Sequence, residues 1–230
     1  MKCRQGLSAL LLLVLGALPA RATDNHRYGK NEYAIIRDGL SPNKQLSLAA
    51  HGEGEFGDGG FHVWLMAEPG HRRIVALEGV GEDNILDTGP GSYHASWTAD
   101  SRRVAISFRS SRHVVELNLY SIENRKPQRL TGPSLFREVA GRDVGDDDDL
   151  RVSVPEIAWQ GSDRFTLTER RSFTTEDAGF AGRLGGYAKV WEKLDNGRLS
   201  VEFSAVADCV ISGNNYRVTN IRVGTFEFKP

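Results

Sequence analysis

Apolar and polar residues alternate with period two along most of this chain, the spacing of strands that turn one face to a core. Val115, Leu117 and Leu119 alternate with Glu116, Asn118 and Tyr120. Phe165 and Leu167 alternate with Thr166 and Thr168, and Leu199, Val201 and Phe203 with Ser200 and Glu202. Shorter runs at 33–36, 46–50, 62–66, 73–77, 104–108, 187–191, 216–223 and 226–228 fit the same pattern. Each is bounded by Gly, Pro, Asn, Asp or Ser, the residues that punctuate turns. The spacing predicts one short helix, with Pro133 at its first position, Leu135 and Val139 on one face, and Gly141 as its stop. The class expected is therefore all-β, with antiparallel sheets.

Three segments follow one plan of turn, strand, loop, strand, turn, strand. They begin at Leu40, Trp97 and Trp159, and their last strands end near Leu77, Leu130 and Leu199. Units of this kind cannot bury their faces alone and must stack on one another. In the second unit, Ser96-Trp97-Thr98-Ala99-Asp100-Ser101-Arg102-Arg103-Val104-Ala105-Ile106 precedes Leu117, Leu119-Tyr120 and Arg129-Leu130-Thr131. This resembles the blade repeat of TolB-like β-propellers, W-S-P-D-G-K-x-I-A-F followed by R-x-L-T, with Ala99 in place of Pro and Ser101 in place of Gly. The resemblance is good over about 40 residues and loose over about 120. It implies a propeller-like arrangement of sheets, with binding at loop faces and no fixed chemistry. Blades of that family serve protein contact and peptide or sugar binding, and some sit beside hydrolase domains. Closed propellers have ~4–8 blades, and three units with a tail at 205–230 are visible here. Either the tail supplies a fourth blade or the ring stays open. Two packed sheets, a β-sandwich, are the alternative architecture.

Composition adds a destination. Lys2 and Arg4 precede an apolar run from Leu7 to Leu18, and Ala20-Arg21-Ala22 forms an A-x-A cleavage site. The run is shorter than the ~20 residues a membrane span needs, so residues 1–22 read as a cleavable signal peptide. Residues 23–230 then form a single β-rich domain, secreted or periplasmic. No N-x-S/T acceptor occurs, which leans toward a bacterial exporter. Removing Lys2, Arg4 and Arg21 takes the 29 basic residues to 26 against 30 acidic ones, a net charge of −4. That balance does not steer the protein to nucleic acid. No second apolar stretch approaches membrane length. The lone remaining cysteine, Cys209, lies in the apolar stretch from Ala205 to Ile211 and reads as a buried small hydrophobe.

Candidate chemistry is sparse. Gly52-Glu53-Gly54-Glu55-Phe56-Gly57 matches G-x-G-x-x-G, but a strand follows it where a dinucleotide site needs a helix. Its acids would also repel phosphate. The run Asp146–Asp149, with Asp143, reads as a solvated acidic loop, and with the 53–58 loop it is where calcium could bind. No other cofactor is implied. Histidines 51, 62, 94 and 113 lack any metal-ligand spacing. Trp64, Trp97, Trp159 and Trp191 read as core rather than as a sugar site. No G-x-S-x-G nucleophile motif occurs.

What remains is a loop face. In each unit the first strand is followed by a loop, at 51–60, 110–112 and 168–186. Stacked repeats place equivalent loops together, and insertions there mark binding surfaces. The candidate binding residues are Glu53, Glu55, Asp58, His113, Glu169, Arg170, Arg171, Glu176 and Asp177. The function expected is an exported, non-enzymatic binding or interaction protein for a protein or small extracytoplasmic ligand. Open sheet edges would also allow pairing with a second copy. The rival reading is a secreted hydrolase acting on glycans or peptides.

Overall fold

The computed structural model describes residues 23–81, 87–145 and 148–227. The expected signal peptide, Asp146 and Asp147 lie outside the described residues. Strand outweighs helix 56% to 9%, so the all-β class holds. The strands form three antiparallel meanders. The first is β1 (Ala34–Leu40), β2 (Leu46–Glu53), β3 (Gly59–Ala67) and β4 (Arg72–Ala76). The second is β5 (Tyr93–Trp97), β6 (Arg103–Ser111), β7 (Val114–Glu123) and β8 (Lys126–Leu130). The third is β9 (Asp149–Trp159), β10 (Arg164–Thr175), β11 (Ala188–Lys193), β12 (Leu199–Ser212) and β13 (Asn215–Val223), and it departs from a simple meander because β10 pairs with β12 while β11 and β13 line the other edge of β12.

Two narrow parallel contacts join the meanders into one mixed sheet. Arg37 of β1 lies opposite His94 of β5, and Val114 of β7 opposite Ser153 of β9. The path runs β11-β12-β10-β9-β7-β6-β5-β1-β2-β3-β4 and does not close. The tail forms no fourth unit among the described residues. Residues 205–212 continue β12, and β13 returns beside it after a turn at Gly213-Asn214. Residues 226 and 227 are not strand.

Equivalent turns are built alike. Ser41 accepts from Leu46 N and donates to its carbonyl, while Asn43 accepts from Gln45 N. Thr98 does the same with Arg103, and Asp100 accepts from Arg102 N. The side chain after each strand closes a tight turn before the next can begin. Two tryptophans tie one meander to the one before it. Trp97 Nε1 donates to Gly39 O at 3.3 Å, and Trp159 Nε1 to Ser96 O at 2.9 Å. Both rings are half-buried and hydrogen-bonded at their polar edge.

The core lies in two layers, one on each side of the middle meander. Val104, Ile106 and Phe108 of β6 enter the first layer with Tyr93, Leu48 and Leu65. Ala105 of β6 and Leu119 of β7 point the other way, into a layer with Phe136, Phe165 and Phe203. Alternation on a strand covered from both sides thus feeds two cores. Cys209 sits in the second layer, 1% exposed. Burial, with the Asp208 charge adding to it, pushes its thiol up to about 12.

The expected helix is α1 (Leu135–Ala140), but Ser134 rather than Pro133 opens it. Ser134 Oγ accepts from Arg137 N at 3.1 Å, and Gly141 stops the helix at φ 73°. The reading of 168–186 as one long loop is corrected. Residues 168–175 prolong β10, and α2 (Ala178–Arg183) follows, capped by Asp177. Alternation hid this, because Glu169 occupies an inward position that the pattern reserves for apolar side chains.

Candidate functional site

Strand direction settles where the three predicted loops emerge. Neighbours are antiparallel except at β1–β5 and β7–β9, so β2, β6 and β10 all run the same way. The 54–58 turn, the 112–113 turn and the segment after Thr175 therefore leave the sheet at the same strand ends.

The nine predicted residues divide among several environments. Glu53, Glu55 and Asp58 are exposed at the β2–β3 turn. The glycines there serve the turn itself: a side chain on Gly52 would collide with the Gly57 carbonyl, and Gly54 and Gly57 have φ of 87° and 71°. The Phe56 carbonyl accepts from Thr88 Oγ1 at 2.7 Å, which rests the turn on the segment before β5. His113 is exposed at the β6–β7 turn, and its carbonyl accepts from Ser153 N. His51, His62 and His94 do not converge with it. His51 meets the Glu32 carbonyl and His94 meets Asp38. Among the described residues no three His, Cys, Asp or Glu side chains are grouped to hold a metal ion.

Glu169, Arg170 and Arg171 lie within β10, not in a loop. Arg170 pairs with Glu156 and Glu227. Glu169 is 4% exposed and accepts from Leu135 N at 2.6 Å and Phe136 N at 3.3 Å. These are orphan donors at the start of α1, so the carboxylate closes that helix end. Its other oxygen accepts from Arg171 Nε at 2.5 Å, while the Arg171 guanidinium lies 4.8 Å from the Phe136 ring centre. The pair borders a cleft of about 320 Å³ between the second and third meanders, with Leu117, Leu150 and Leu167 among its lining. Leu117 and Pro155 also line an adjoining space of about 390 Å³ that reaches His94 and Ser96.

Glu176 and Asp177 enter a different cavity, the polar one at the strand ends, of about 620 Å³. It forms where β10 ends beside the start of β12, since Thr175 lies opposite Leu199. The segment after α1 closes it with Arg142, Gly145 and Asp148, and Arg198 enters from the turn before β12. Arg142 binds Asp148 at 2.9 Å and lies 3.5 Å from the Phe180 ring centre. Arg198 donates to Thr174 O at 2.9 Å and faces Glu176 at 3.7 Å. Arg183 faces Asp177 at 3.4 Å. Burial pushes the Asp148 carboxyl up, but hydrogen bonds from Thr175, Arg142 and the Gly145 N–H outweigh it and hold it below the usual range.

Arg142, Asp148 and Arg198 were not among the predicted residues. The acidic run at 146–149 had pointed to a solvated loop, yet the Asp148 side chain is only 6% exposed. The available signal was Arg142, six residues earlier, a cation placed to pair with one acid of the run. The chain matches no family model, no curated protein and no solved structure. Among the described residues no helix is long and apolar enough to cross a membrane.

Proposed function

We propose that this chain is an exported, non-enzymatic binding protein whose three meanders act as blade-like repeat units of an open, propeller-like arc. The polar cavity at the strand ends is its contact face. The observation that supports this is the meeting of Arg142, Gly145 and Asp148 with Thr175, Glu176 and Asp177 and with Arg198 around one cavity carrying both signs of charge. Its ionisable groups are engaged pairwise, Arg142 with Asp148, Arg198 with Glu176 and Arg183 with Asp177. An aspartate held below its usual range stays ionised and is a poor proton donor near neutral pH. Such a surface suits recognition of a polar ligand or a mixed-charge protein face better than acid–base work.

The test has two arms. The intact mass of the protein recovered outside the cytoplasm is expected to begin at Thr23. Extracytoplasmic material captured by the wild-type protein is expected to be lost with Arg198→Glu and with Asp177→Lys, and kept with Glu123→Lys on the far side of β7. Capture unchanged in both cavity variants removes the cavity as contact face. Turnover of a glycan or peptide substrate that the same variants abolish replaces the reading with the hydrolase one.

A further inference from the structure

We propose that the cleft between the second and third meanders is a binding site for an unbranched aliphatic carboxylate. The proposal concerns a different cavity from the polar one and stands or falls separately. Ligand sites of this kind combine an apolar floor with a few convergent polar groups. The floor here comes from both meanders, with Leu117 of β7 and Leu150 and Leu167 of the third meander among its lining. The cleft exists because β7 and β9 are joined only at Val114 and Ser153 and diverge beyond that point. Leu117 and Pro155 line both this space and its neighbour, so the two adjoin at those residues and offer room beyond either alone. An extended alkyl chain suits that joined space.

The polar end is Arg171. Its Nε is spent on Glu169, and its guanidinium carbon lies 4.8 Å from the Phe136 ring centre. Among the described residues, nothing accepts from its two terminal nitrogens. Its side chain is only 15% exposed, and the residue lines the cleft. Glu169 spends one oxygen on the start of α1 and the other on Arg171 Nε, which leaves the terminal nitrogens of Arg171 for a second carboxylate. A planar guanidinium edge offers a carboxylate two parallel hydrogen bonds. Ser134, also at the cleft, uses its oxygen to accept from Arg137 N, which leaves its hydroxyl proton to donate. Apolar walls with a partly desolvated cation at one end select a ligand with a hydrocarbon body and an anionic head.

Titration calorimetry of the whole domain with dodecanoate, below its micelle concentration, tests this. Dodecanol supplies the same chain without the charge, and acetate the charge without the chain. Dodecanoate is expected to bind at least tenfold more tightly than either. Arg171→Met is expected to bring dodecanoate down to the dodecanol level, and Leu117→Trp to abolish both by filling the cleft. Leu117 is half-buried at the cleft wall, so this second variant remains informative if Arg171→Met does not fold. No dodecanoate binding, equal binding of dodecanoate and dodecanol, or dodecanoate binding that survives Leu117→Trp would each overturn the proposal.

Discussion

The second and third meanders differ in strand order and bury different chemistry. The second is covered on both sides, by the first meander on one face and the third on the other. Its buried polar side chains are all neutral: Thr98, Ser101, Asn118 and Ser121. The third meander buries two carboxylates, Glu169 and Glu202, beside a set of phenylalanines. Each acid is satisfied from nearby: Glu169 by α1 and Arg171, Glu202 by Trp191 Nε1 and Glu227 N. At the margin of the middle meander the buried acid is Asp87, just before β5, and it is met by Arg109 of β6, so within the meander itself no carboxylate is buried. A terminal sheet recruits α1 and the C-terminal segment, and with them come clefts. Candidate binding chemistry accordingly concentrates in the third meander.

The largest effect should come from the third core itself. Phe203 is fully buried and packs edge-to-face on Phe136 at 5.0 Å. Phe203→Ala should cost about 3–5 kcal/mol, read from urea unfolding. The transition should remain single, because Ala105, Leu119 and Leu130 of the second meander share that core. Two separated transitions would break the comparison by showing that the third meander melts alone.

The buried polar groups should differ next. Glu169→Ala strips the start of α1 and leaves Arg171 half-buried without its partner, and should cost about 3 kcal/mol. In the middle meander, Asn118 donates to Gly79 O and accepts from Arg129. Asn118→Ala should cost about 1 kcal/mol, because one lost hydrogen bond is neutral and the other frees the exposed Arg129 guanidinium to water. Equal costs at the two sites would remove the distinction between neutral and charged burial.

A smaller effect isolates the helix. Ser134→Ala removes the cap of α1 while leaving Glu169 in place, and should cost about 1 kcal/mol. A cost near that of Glu169→Ala would mean that the carboxylate acts only through the cap.

The smallest concerns pH. Asp148 has its folded value below the unfolded one. Its contribution is therefore full above about pH 4, the ordinary aspartate range, and is lost as pH falls through the lower folded value. With Arg142 partly exposed, the amount should be about 0.5 kcal/mol. Asp148→Asn should flatten the acid side of the stability profile by that amount, measured by denaturant midpoints between neutral and acid pH. An unchanged profile would detach Asp148 from the ion pairs that shape the polar cavity.

Local pattern carried most of the strands, including β6, β7 and β12, and the stop of α1 at Gly141, because burial on one or both faces writes alternation directly into the sequence. It also placed Cys209 in the core. It carried neither β5 nor β9. β9 reads as polar because Arg151, Pro155 and Glu156 are set where one face opens to a cleft or to solvent. The shared turns at Ser41 and Thr98 were visible as a repeated plan, while the tryptophan ties from Trp97 to Gly39 and from Trp159 to Ser96 were not.

By itself, then, the sequence determined the strand class and the alternating polarity of most strands. Only the tertiary structure decided which faces are covered, that 168–175 is strand, that Glu169 closes a helix 34 residues away, and that Arg142, Asp148 and Arg198 share a cavity. The reason is range. Turn chemistry and alternation are settled between residues a few positions apart, whereas a cleft and its ion pairs exist only where strands distant in sequence are brought side by side and fail to pair along their full length.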